Sequence, residues 1–132
     1  MGISLAALDL TASADRGYEF EYVSEASGMP SGVFITVLGS NSQKVNDWTR
    51  KELNKRRLRE AMRVKKGKDD VVLVEEDEEF GIHSAVIRVQ SWKGIDEPCT
   101  PENIERLCRT NVEILNQIMK NSNELGNFIK SN

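Results

Sequence analysis

A chain of 132 residues is long enough to bury one hydrophobic core and too short for two independent ones. Its 39% apolar and 30% charged residues, with a net charge of −3, exclude wholesale disorder and predict a soluble fold with a wet surface. No stretch approaches the roughly 20 apolar residues that cross a bilayer, and the first ten residues lack the basic-then-apolar layout of a secretory signal, so a cytoplasmic protein is expected.

In residues 18–23, Tyr18, Phe20 and Tyr22 alternate with Glu19 and Glu21, the period of a half-buried strand. Residues 32–38 are rich in β-branched side chains and read as a second strand. Between them Gly28, Pro30 and the serines of residues 24–31 supply the chemistry of a chain reversal, which predicts a β-hairpin over about 18–38.

Beyond Gly39, the side chains of Ser40, Asn41 and Ser42 can accept from the orphan amides of a helix start, and residues 43–66 contain neither Gly nor Pro. A helix is predicted over about 42–66. Val45, Trp48, Leu53, Leu58 and Met62 do not share one narrow stripe, so part of this helix is expected to project from the core. Residues 50–68 carry ten basic side chains against Glu52 and Glu60, whereas residues 69–79 carry seven acidic ones and no basic one. Residues 67–77 read as a charged connector, in which the apolar run 71–74 suits a short strand or a mobile link equally.

Ile82, Ala85, Val86, Val89 and Trp92 follow the spacing of a helix face and predict a helix over about 78–92, although their β-branched content also suits a strand. The last helix, about 101–122, has a written start: Thr100 can cap, Pro101 fits the first helical position, and Glu102 complements the dipole. Ile104, Leu107, Cys108, Leu115, Ile118 and Met119 form its apolar stripe, and Gly126 should end or bend it. The sum is an α+β fold in which an N-terminal β-hairpin precedes three main helices in a single domain spanning 1–132.

Reactive chemistry is sparse. General acid-base and nucleophilic catalysis lean on histidine, and the sole one, His83, sits among apolar residues where a structural or surface role is expected. Neither GxxxxGKS/T nor GxGxxG is present, and the acidic run 75–79 lacks the spacing of a calcium loop, so no catalytic residue, cofactor or metal ligand is nominated. Cys99 and Cys108 match neither a redox pair nor a zinc pair and read as reduced thiols, Cys108 in the core. Arg56, Arg57, Arg59 and Arg63 could meet phosphates, but the negative net charge and the lack of interleaved aromatic residues favour a polar face balanced by the acidic run, or one that steers a protein partner. A nucleic-acid-binding or regulatory protein using residues 50–68 is the alternative reading.

Gly32-Val-Phe-Ile-Thr-Val-Leu-Gly39 followed by Ser40-Asn-Ser42, then Trp92-Lys-Gly-Ile95, Pro101-Glu-Asn-Ile-Glu-Arg-Leu107 and Asn127-Phe-Ile-Lys130 stand in an order that resembles the tail assembly chaperones of long-tailed bacteriophages. The resemblance spans most of the chain and rests on the ordered set, since each motif alone is common; residues 50–79 depart from the family pattern. It implies a non-enzymatic protein of the bacterial host cytoplasm, absent from the finished tail. Such a protein binds the tape measure protein, keeps it soluble and helps recruit the major tail protein, and the family often makes a longer product by frameshifting. Long apolar helices of a tape measure would otherwise aggregate, and many weak copies along one can act by avidity. Self-association into a homo-oligomer is expected from the wide stripe of the last helix. Ile118, Met119, Leu125 and Phe128, with Arg56 and Arg57, are the partner-facing candidates. Trp92, Gly94 and Ile95 read as structural, and Trp92→Ala should cost on the order of 3 to 5 kcal/mol if the ring is buried.

Overall fold

In the computed structural model, which describes residues 2–66 and 73–129, the elements run α1 (Leu10–Arg16), β1 (Tyr18–Val23), β2 (Pro30–Val37), α2 (Gln43–Lys66), α3 (Leu73–Arg88), β3 (Val89–Lys93), α4 (Pro101–Thr110) and α5 (Val112–Asn123). Short 3₁₀ turns at Leu5–Leu8 and Leu125–Asn127 flank them. The class is α+β: one antiparallel sheet of order β1-β2-β3, with helices against one of its faces.

Pairing puts Phe20 opposite Ile35 and Ile35 opposite Trp92, so one row of large side chains crosses all three strands on the inner face. Ile35 and Val37 are fully buried against Ala85 of α3, Ile104 and Cys108 of α4, Ile114 and Ile118 of α5, and Phe128. α5 packs beside β1 and takes up the backbone groups of Val23 at its end. The Gln117 carboxamide donates to the Val23 carbonyl at 2.8 Å and accepts from its amide, and the Tyr22 hydroxyl donates to Glu113 at 2.6 Å.

The hairpin and the start of α2 form as their local chemistry predicts. Gly28 takes φ +64° in the reversal and donates to the Ser24 carbonyl. At the start of α2 the buried Ser42 hydroxyl accepts from the Val45 amide, and Asp15 accepts from the Gln43 amide.

Four expectations need correction. The helix predicted over 78–92 begins earlier, at Leu73, and stops at Arg88; residues 89–93 are a third strand. Val89 and Trp92 keep the three-residue spacing of a helix face, but the β-branched content also suits a strand, and the open edge of β2 offers the hydrogen bonds of a third strand. A bulge between Thr36 and Val37 absorbs Gln90 and keeps Val89 facing inward. The helix predicted over 101–122 is two helices, broken at Asn111, whose extended backbone lets its side chain accept from the Ile114 amide and so cap a new start. Of the connector 67–77, residues 67–72 lie outside the described residues and the rest opens α3. Finally, α1 precedes the hairpin, where no element is predicted: Asp9 caps it by accepting from the Ala12 amide, and its Ala14 carbonyl receives the Gly39 amide.

Candidate functional site

The basic and acidic runs meet face to face. Beyond its first turns α2 leans on α3, and the contact begins with Trp48 against Phe80, ring centroids 5.3 Å apart. The Arg56 guanidinium lies 5.1 Å over the Phe80 ring and pairs with Asp77. Farther along, Arg63 pairs with Glu76, and Arg59 comes within 3.9 Å of the same carboxylate. At 3.6 residues per turn, Trp48, Glu52, Arg56, Arg59 and Arg63 share one side of α2, which makes the inward face of this helix mostly ionic. Glu75 and Glu76 also sit in the first turn of α3, where negative charge complements the dipole. The seam leaves a cleft of about 300 Å³, floored by Trp48 and Phe80 and rimmed by Arg56, Glu76, Glu79 and His83.

A second ionic cluster continues the seam onto α4. His83 Nε2 lies 2.6 Å from Glu105 and 3.9 Å from Glu79. Arg109 donates to both oxygens of Glu79, at 2.8 and 2.6 Å, and to Glu105 at 3.1 Å. The hydrogen bond from Arg109 holds the Glu79 carboxyl below its ordinary range. The contact with His83, then that with Arg109, does the same for Glu105, and the two carboxylates raise the pKa of Arg109 in return. Glu79, His83 and Glu105 each offer one ligand atom within 4.8 Å of the others, the reach of a metal triad. Both carboxylates, however, are already bound by the Arg109 guanidinium, a cation the fold itself supplies.

The six partner-facing candidates separate. Ile118 is 0% exposed and Phe128, packed edge-on against Tyr18 at 6.2 Å, is also buried; both are core residues rather than contact residues. Met119 is half-buried against that core, and Leu125 is exposed. Arg56 turns inward to Asp77 and Phe80, whereas Arg57, the next residue, points to solvent. The apolar surface that sequence reasoning overlooks lies at the other end of the chain: Ile3, Leu5, Leu8 and Leu10 are exposed. Leu8, Leu10 and Ala12 line a groove of about 560 Å³ with Ile129. The signal available was the run of aliphatic residues 3–10, too short and too irregular to announce an element.

Compared with family models, curated proteins and solved structures, the chain matches none of them. Among the described residues no helix is long and apolar enough to cross a membrane.

Proposed function

We propose that this protein is a non-enzymatic tail assembly chaperone of a long-tailed bacteriophage, which binds the tape measure protein in the host cytoplasm and helps recruit tail tube subunits. The observation that carries the reading is the apolar surface at the chain ends, where Leu8 and Leu10 face the groove shared with Ile129 and Ile3 and Leu5 stand beside them in the sequence. Exposed aliphatic side chains around a shallow groove are the chemistry by which one protein receives an apolar helix of another. A tape measure protein is such a helix at great length, and several copies of the chaperone, self-associated along it, would keep it from aggregating.

Co-expression with a phage tape measure protein from the same genome tests the reading. The two should co-purify, and Leu8→Asp combined with Leu10→Asp should leave the tape measure insoluble while the variant itself melts at the wild-type temperature. A tape measure that stays soluble without this chain, or that never co-purifies with it, removes the proposal.

A further inference from the structure

We infer that Glu79, His83 and Glu105 form a binding site for a divalent transition-metal ion, with zinc as the fitting ion, at the junction of α3 and α4. The inference does not depend on the chaperone reading, because it concerns other residues and needs no partner protein.

Three donors converge because two packed helices present them. Glu79 and His83 stand four residues apart, one turn of α3, and Glu105 reaches them from α4. A single atom, His83 Nε2, lies 2.6 Å from Glu105 Oε1 and 3.9 Å from Glu79 Oε2. Zinc bonds of about 2.0 to 2.2 Å set tetrahedral ligand atoms about 3.3 Å apart, inside that range. The side chains of Glu79, His83 and Glu105 are 49%, 47% and 35% exposed, so an ion reaches them from solvent and small rotations complete the geometry.

The position already attracts positive charge. Arg109 Nη2 donates to the same two oxygens, at 2.6 Å to Glu79 Oε2 and 3.1 Å to Glu105 Oε1. One guanidinium against two carboxylates leaves one negative charge uncompensated while His83 is neutral. A divalent ion balances both carboxylates and, unlike a guanidinium, accepts the imidazole lone pair. Arg109 is 40% exposed on a long stem, free to turn into water and yield the place.

The donor set chooses the ion. An imidazole nitrogen beside two carboxylates suits zinc and its first-row neighbours, whereas magnesium and calcium take shells of oxygen. Three protein ligands leave a fourth position for water. Glu79 and His83 also rim the cleft floored by Trp48 and Phe80, so solvent space adjoins the site.

The test titrates the full chain, stripped by a chelator, with Zn²⁺ alone. One ion should bind per chain and raise Tm. Loss of even an outer-shell partner typically weakens a metal site about 10- to 100-fold, so His83→Ala, which removes a ligand, should weaken binding at least about tenfold. Arg109→Gln should instead tighten it, because the competing charge is gone. The ring resonances of the sole histidine should shift on adding zinc, a readout that needs no variant. Co²⁺ in place of zinc should bind without a thiolate absorption band, which keeps the ion away from Cys99. Absence of binding overturns the inference. So does binding unchanged by His83→Ala, which would mean an adventitious ion only, weaker binding by Arg109→Gln, a thiolate band with Co²⁺, or equal affinity for Mg²⁺.

Discussion

Gly94 lies directly against the carbonyl of Gly32: a Cβ built on Gly94 would overlap that oxygen and stand 3.2 Å from the Val33 Cα. The contact joins the turn after β3 to the start of β2, and Gly94 meets it with φ +83°, a conformation that side chains rarely adopt. Gly94→Ala therefore combines backbone strain with a collision that neither strand can relieve. We expect a loss of about 3 kcal/mol and a fall in Tm on the order of 10 °C. Thermal unfolding at wild-type temperature would show that the turn relaxes freely.

Burial separates two residues that lie seven positions apart near the chain end. Ile118 is fully enclosed, so Ile118→Ala should cost about 3 to 4 kcal/mol in chemical denaturation. Leu125 is exposed, and Leu125→Ala should stay within about 0.5 kcal/mol of wild type. Equal effects would contradict the packing of α5.

The cluster of Glu79, His83, Glu105 and Arg109 makes stability depend on acid. Arg109 lowers the pKa of Glu79; His83 and then Arg109 lower that of Glu105. A carboxylate whose folded value is depressed contributes stability that is present above its ordinary value of 4.5 and is lost as pH falls through the lowered one. Glu79→Gln should therefore lower Tm near neutrality and converge with wild type below pH 4.5. Melting curves that stay parallel at every pH would count against this.

Burial also sorts the thiols. Cys108 lies in the core with its pKa pushed up to about 11, whereas Cys99 is only half-buried and less raised. An alkylating reagent at mildly alkaline pH should modify Cys99 first and Cys108 only after denaturant is added, as read by peptide mass spectrometry. Equal rates in the folded protein would place Cys108 outside the core.

Arg88 is a buried cation that no carboxylate pairs among the described residues. Its Nη1 donates to the Ser84 carbonyl at 2.9 Å and to the Ser84 hydroxyl, its Nε has no partner, and burial lowers its pKa. Desolvating an unpaired charge costs more than these bonds return, so Arg88→Met should hold stability within about 1 kcal/mol of wild type or raise it. A loss above about 2 kcal/mol would reveal a favourable interaction of the guanidinium that outweighs its desolvation.

The hairpin, the start of α2 at Ser42 and the start of α4 at Thr100 were legible without coordinates, because each is decided by residues within one turn of one another. The Thr100 hydroxyl accepts from the Asn103 amide three residues on, and Gly28 closes a reversal of five residues onto the Ser24 carbonyl. The third strand was not legible. Val89 and Trp92 keep a helical spacing that a strand can share only through the bulge at Gln90, and only the free edge of β2, more than fifty residues earlier in the chain, decides between the two. Asn111 divides the last helix through a cap that competes locally with a continuous apolar stripe. Composition marked two opposite charge runs; the antiparallel approach of α2 and α3 turned Arg56 and Arg63 into internal pairs and left Arg57 and Leu58 facing water. Local signals are written in neighbouring residues, whereas burial and partner choice depend on which distant surfaces arrive together, and for Ile118, Phe128 and β3 that was settled by packing alone.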